Sequence, residues 1–374
     1  MKRLLPAILA IPALALPAAS KTLDTSAFSK SVEITASGYA GSSALANFPA
    51  LVRLSNAPGF DFADFTDPAA ELRFADTSGN NLDFEIDTWD AASGTALVWV
   101  SVPSLASDTI ITAYFAPRAG SSLPAVSSPA VWTKAGYVGV WHFNTQNADG
   151  SYPDATGLGA TAVRIAGDAT PNAPTSAAPN ANGTTYHVAN SVLAVQASNA
   201  TSWTFSSTGY SVEAWLVPTG KYNRMFVQST SMNGGNAFAF GPTEIYQMAD
   251  GWGAYSWPSV VANQKDWRFV SAVWADSAKS FTTRTCVNGS NQAGSKTDKV
   301  AVDFSSTGMA LTGRNGTDQS STVFGFSVDE IRVRRGDTSA DWMNANYATQ
   351  NKNAAFFAYG TVEEGAVGSS ILIY

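Results

Sequence analysis

The sequence is poor in charge and almost without cysteine. Only 14% of its 374 residues are Asp, Glu, Lys or Arg, which argues against long solvated helices, since those draw heavily on Glu, Lys and Arg. Lys and Arg number 22 against 29 acids, a net charge of −7, and form no dense basic run. The nearest approach is Arg332, Arg334 and Arg335, which alternate with apolar residues. A nucleic-acid surface needs a cationic footprint that displaces phosphate counterions, so no nucleic-acid partner is expected. There is one cysteine, Cys286, and there are two histidines, His142 and His187. That inventory excludes a disulfide framework and leaves a thiol nucleophile or a zinc site without enough partners. Cys286 runs into an Asn288–Gly289 turn and reads as a buried strand residue.

What is abundant points to strands. After the first twenty residues, segments of five to nine residues alternate in polarity between clusters of Gly, Asn, Pro and Ser. Strands are expected around Leu51–Leu54, Leu72–Phe74, Ala96–Val102, Val212–Val217, Phe269–Trp274 and Asp329–Arg334. In the stretch Ala96–Val102, Val98, Val100 and Val102 share one face with Leu97 and Trp99 on the other, the pattern of a strand buried on both sides. In the last stretch, Ile331 and Val333 face one way and Glu330, Arg332 and Arg334 the other, so the charged side is expected to be wet. Residues 76–81, Asn288–Gly289 and Asn315–Gly316 read as turns. One helix is expected, over Thr338–Gln350, with Asp337 or Ser339 as its cap. The fold class is all-β.

Five segments follow. Residues 1–20 read as an export signal: Lys2 and Arg3, an apolar stretch from Leu4 to Pro17, then the small residues Ala18, Ala19 and Ser20. The apolar stretch is too short to span a bilayer and carries three prolines, so no membrane insertion is expected after cleavage, and the mature chain is expected outside the cytoplasm or in the cell envelope of a bacterium. Residues 21–117 form a first β-domain, 118–130 an Ala/Ser/Pro-rich linker, 131–363 a second and larger β-domain, and 364–374 a tail. The stretch Thr170–Thr185 reads as a long surface loop of the second domain.

Two resemblances sharpen this division. In the first domain, Asn47–Leu54 (NFPALVRL), Glu71–Asp76 (ELRFAD), Phe84–Trp89 (FEIDTW), Leu97–Pro103 (LVWVSVP) and Ala113–Phe115 (AYF) resemble, in order, the bacterial domain of unknown function 2341. The resemblance implies an extracellular β-domain, often placed before a lectin-like sandwich, and no known activity. In the second, Gly139–Phe143 (GVWHF) with Asp154–Gly157 (DATG), Tyr210–Pro218 (YSVEAWLVP), Trp267–Val273 (WRFVSAV) with Val287–Gly289, and Ser327–Val333 (SVDEIRV) with Asp341–Trp342 resemble the concanavalin A-like or laminin-G-like jelly rolls of bacterial surface proteins. Such folds bind glycans, proteins or calcium, and some enzymes share them, so the fold does not decide the role.

Three groups of residues carry candidate chemistry. Glu85, Asp87 and Asp90 are similar to the Glu-x-Asp-x-Glu strand of laminarinase-type glucanases, but the last acid is Asp and is displaced by one residue. Retaining hydrolysis needs two carboxyls about 5–5.5 Å apart across the scissile bond. On a regular strand Asp90 falls on the opposite face from Glu85 and Asp87 unless a bulge turns it, so the expectation is a half-exposed strand with solvated carboxylates. The segment Asp250–Pro258 (DGWGAYSWP) has the composition of a glycan site, with Trp252, Tyr255 and Trp257 to meet a sugar's apolar face and Asp250 to take its hydroxyls. No cofactor is expected. Calcium would need six to eight oxygens from converging loops; Asp149, Asp154, Asp168, Asp303 and Asp329 are candidates, but no Asp-x-Asp-x-Asp loop is present, and Asp154 and Asp329 read as turn and strand-end residues; His142 reads as structural. The expectation is a non-catalytic, exported protein with a lectin-like jelly roll that binds carbohydrate. Its alternatives are a glycoside hydrolase of the laminarinase type and a structural or adhesion module that docks a protein.

Overall fold

The computed structural model describes residues 22–166, 186–189, 192–195, 209–218, 225–229, 237–240, 245–248, 254–257, 267–277, 280–297, 309–310 and 325–365. Residues 1–20, read as an export signal, the stretch Thr170–Thr185, the expected turn at Asn315–Gly316, Asp168 and Asp303 lie outside them.

The chain is all-β, with antiparallel sheets and few helices. The first sandwich is built from β1 (Phe28–Thr35), β2 (Leu45–Arg53), β3 (Arg73–Asp76), β4 (Asn81–Leu82), β5 (Phe84–Asp90), β6 (Thr95–Leu105) and β7 (Ile110–Pro117). β1, β7, β3 and β4 pair in that order in one sheet; β2, β6 and β5 form a second sheet of three strands. β6 is its middle strand, and Leu97, Val98, Trp99, Val100 and Val102 are all fully buried, as their two-sided apolar pattern requires.

The segment after β7 is strapped to this sandwich. Arg73 Nε donates to the Pro124 carbonyl at 2.8 Å, and the Ser127 amide donates to Asp83 Oδ1 at 2.8 Å. It ends in the short helix α1 (Ser128–Thr133), which buries Val131 and Trp132, and then enters β8 (Tyr137–Trp141).

Among the described residues the second sandwich has two sheets of seven strands each. One runs through Tyr186–Ala189, Gly325–Arg335, Tyr210–Pro218, Arg268–Ser277, Ser280–Val287 and Ser290–Thr297, with β8 paired to Gly325–Arg335. The other has Ala254–Trp257 at one edge and Ala162–Ala166 at the other. The Asn288–Gly289 turn is a two-residue hairpin loop with φ of 49° and 79°, the left-handed pair that an Asn-Gly dipeptide adopts at least cost. Cys286, just before it, is buried.

The expected helix is present as α2 (Ala340–Asn351), capped by Ser339, whose Oγ accepts from the Trp342 amide at 3.1 Å. Its task is to join the sandwiches. Trp342 meets Phe48 of β2 edge-on, with ring centroids 4.9 Å apart, and Asp341 Oδ2 accepts from the amides of Ser42 and Ser43. Beyond the following turn of helix, Ala358–Tyr359 and Glu363–Glu364 pair with β1 and add two short strands to the first sheet. One hydrophobic cluster therefore runs from β1 and β2 through Val131, Trp132 and Tyr137 to Trp342, Phe356 and Phe357. The closeness is tight enough at one point to need glycine: a Cβ on Gly38 would sit 2.2 Å from the Ala355 carbonyl oxygen.

Among the described residues no helix is long and apolar enough to cross a membrane.

Candidate functional site

Over residues 328–335 of the strand Gly325–Arg335 the expected wet side is not kept: Glu330 and Arg332 are fully buried, while Arg334 and Arg335 reach solvent. The expectation of a solvated charged face is corrected here. Its alternation was read properly, but the charges face the first sandwich, where they compensate one another. β5 is half-exposed as expected, with Asp90 in solvent, but Glu85 and Asp87 are engaged by buried groups, so for those two the expectation of solvated carboxylates is corrected.

Two β-bulges aim the acids at this seam. In β5 the register against β6 slips between Ile86 and Thr88, leaving Asp87 as the extra residue. In Gly325–Arg335, Trp215 lies opposite Asp329 while Glu213 lies opposite Arg332, and Glu330 takes a left-handed φ of 54°. Phe143, directly after His142, is also left-handed, at 61°. A non-glycine residue in that region carries a strain on the order of 1–3 kcal/mol, which the surrounding packing must hold in place.

The groups that meet form a continuous network. His142 Nδ1 is 2.7 Å from Glu330 Oε1, and Glu330 Oε2 accepts from Arg332 Nη2 at 2.7 Å and Nε at 3.1 Å. The other imidazole nitrogen, Nε2, is 3.5 Å from Glu85 Oε2, which also accepts the indole N–H of Trp132. Asp87 accepts the indole N–H of Trp99 at 3.1 Å and the side-chain amide of Asn144 at 2.8 Å. The Arg332 guanidinium lies 4.3 Å from the Trp99 ring centroid and 5.1 Å from that of Trp132, a double cation–π contact away from water. Arg332 Nη1 passes the network on to Asn346, whose amide donates to Glu213 Oε2 at 2.7 Å and to the Tyr137 hydroxyl at 3.0 Å.

The electrostatics follow from this crowding. Burial alone would depress His142, but the carboxylates of Glu330 and Glu85 outweigh it and hold the imidazole well above its ordinary pKa. Glu330 is lowered, because His142 and Arg332 outweigh its own burial. Asp87 has only neutral donors. Burial, reinforced by the charges of Glu330 and Glu85 and opposed by that of His142, pushes it up to about 6. Glu213 is raised, chiefly by burial.

Asp87, His142 and Glu330 bring one ligand-type atom each within 4.8 Å of one another, a spacing that suits a metal ion. Both Glu330 oxygens, however, are already engaged by the imidazole and the guanidinium, and Arg332 supplies the cation. Asp90 is not brought beside Glu85 and Asp87. The β5 bulge returns Asp90 to the face of Glu85, but Asp90 is exposed at the far end of the strand, where its carboxylate caps the turn through the Ala92 amide. Five residues of strand separate them by roughly 16 Å.

Of the other candidates, Asp154 is a turn organiser: its carboxylate accepts from the amides of Val140, Thr156 and Ala160 and from the Thr156 hydroxyl. Asp149 accepts from the Ser151 amide and hydroxyl, and Asp329 from the Glu330 amide. Asp250 and Trp252 lie outside the described residues. Tyr255 and Trp257 occupy alternate positions of the edge strand Ala254–Trp257, opposite Gln247 and Ile245.

Sequence reasoning missed the Glu330–Arg332–His142 core. The available signal was the pairing of opposite charges two residues apart on one strand face, a spacing that lets the pair neutralise itself when buried.

A family described as a domain of unknown function (DUF2341) matches residues 69–127, which contain β3 to β7 and the strap that follows. No curated protein matches the chain. Solved structures similar to it include domain 4 of an extracellular arabinanase from Geobacillus stearothermophilus, in complex with arabinotriose, at 16% identity and a TM-score of 0.41, covering 57% of this chain and 98% of that one. The binding domain of botulinum neurotoxin serotype D is 13% identical with a TM-score of 0.40, over 57% of this chain and 51% of that one. A mutant sialidase of Trypanosoma rangeli is 10% identical with a TM-score of 0.42, over 71% of this chain and 41% of that one.

Proposed function

We propose that the chain is an exported binding protein, with a concanavalin A-like second sandwich that takes carbohydrate and no catalytic role. The observation that carries the ligand class is the placement of Tyr255 and Trp257 at same-face positions of an edge strand, next to a segment that also holds Trp252 and Asp250. Two aromatic positions one strand repeat apart, about 7 Å, suit successive sugar rings. The absence of catalysis is supported by the seam: Glu85, Asp87 and Glu330 spend their oxygens on Trp132, Trp99, Asn144, His142 and Arg332. A general acid needs its proton within reach of a substrate oxygen, and these groups face side chains instead.

Retention of the full chain on a panel of immobilised polysaccharides tests this. Trp257→Ala and Tyr255→Ala are expected to weaken retention on the bound glycan by roughly tenfold each, given about 1–2 kcal/mol for a lost aromatic stacking contact. Equal retention of both variants and the parent would remove this strand from the binding surface, and new reducing ends in the glycan would replace binding with hydrolysis.

A further inference from the structure

We propose that the seam between the two sandwiches is a proton-operated latch, closed in mildly acidic solution and loosened as the solution turns alkaline. Its geometry is unusual for a structural interface. Three carboxylates meet two cations, and the parts come from both sandwiches: Glu85 and Asp87 from β5, Glu330 and Arg332 from Gly325–Arg335, and His142 from the end of β8. The other walls are Trp99 of β6, Trp132 of α1 and Asn144, and the Arg53 guanidinium of β2 acts on Asp87 through space. Behind Arg332 stand Glu213, Tyr137 and Asn346, with Arg334 farther along the same strand.

Asp87 is the carboxylate of the seam whose hydrogen bonds come from neutral donors, the Trp99 indole and the Asn144 amide, with the Arg53 guanidinium of β2 acting on it through space. A proton lost from His142 unbalances the seam, because Glu330 and Glu85 then face each other across a neutral ring.

The sign follows from linkage. Asp87 is raised in the fold, so the stability it contributes is present below its ordinary carboxylate range and is lost as pH rises through about 6. His142 is also raised, so its contribution is full below about 6.5 and is lost as pH climbs through its higher folded value. Glu330 is lowered and fails only when pH falls well into the acid range. The three windows overlap in mildly acidic solution. Opening the seam uncovers Trp99 and Trp132, which are now fully buried.

The test uses the full chain. Its thermal midpoint is expected to fall steadily between about pH 5.5 and pH 8, with acrylamide quenching of tryptophan rising in parallel. Asp87→Asn, which keeps the shape and removes the charge, is expected to flatten the portion near pH 6. An independent readout needs no variant at the seam. The chain has two histidines, and with His187→Asn to assign signals, the His142 imidazole is expected to remain protonated at about pH 7.5, where an ordinary histidine is neutral. A midpoint that is flat or rises across this range, an Asp87→Asn profile that superimposes on the parent's, or a His142 signal titrating near 6.5 would each overturn the latch.

Discussion

Glu330→Ala is expected to destabilise the chain by about 3–5 kcal/mol, because it leaves two buried cations without their common carboxylate. Glu330 is fully buried and bonds His142 through one oxygen and Arg332 through the other. Without it, the guanidinium keeps its place over Trp99 and Trp132, but the cation–π contacts offset only part of its lost solvation. The left-handed backbone at residue 330 adds no relief, since alanine tolerates that region no better than glutamate. Replacing the pair together, Glu330→Leu with Arg332→Met, is expected to recover much of the loss, as an apolar pair of similar size avoids the desolvation of both ions. Chemical denaturation of the three chains at one pH, with a common slope, measures the difference. A single variant within 1 kcal/mol of the parent would mean that the network contributes little.

Trp342→Ala is expected to cost a comparable ~3–5 kcal/mol and, unlike Glu330→Ala, to divide the unfolding transition. Trp342 belongs to a helix that follows the second sandwich in sequence, yet its ring packs edge-on against Phe48 of the first. Arg334 covers the other side at 4.3 Å, and the indole N–H reaches the Tyr137 hydroxyl at 3.3 Å. Removing the ring opens a cavity where the shared hydrophobic cluster crosses from one sandwich to the other. Neighbouring side chains cannot close it without moving the helix, which Asp341 holds to the Ser42 and Ser43 amides. Calorimetry of the variant is expected to show two overlapping transitions.

Most of the strand pattern was legible in the sequence, because polarity with a period of two reports which faces of a strand differ. Leu97 to Val102 announced a doubly buried strand, Asn288–Gly289 a tight hairpin, and Ser339 a helix start, and each is formed by the local chemistry that marks it. The seam was not legible, for two physical reasons. Alternation separates polar from apolar faces but does not say whether a polar face meets water or an opposite charge, so Glu330 and Arg332 read as solvated. The bulges at Asp87 and Glu330 change register by one residue, and nothing in the neighbouring residue types requires an insertion there. Asp87 and His142 are 55 positions apart in the chain and are joined only through packing of β5 against the end of β8. For the glycan surface, Tyr255 and Trp257 fall on the strand Ala254–Trp257, while Asp250 and Trp252 lie outside the described residues.

The most direct test of the seam as a lock between the two sandwiches is calorimetric unfolding of the unaltered chain in mildly acidic solution. One transition, with calorimetric and van't Hoff enthalpies equal, is the expected result. Two separate transitions, one matching residues 22–117 expressed alone, would contradict it.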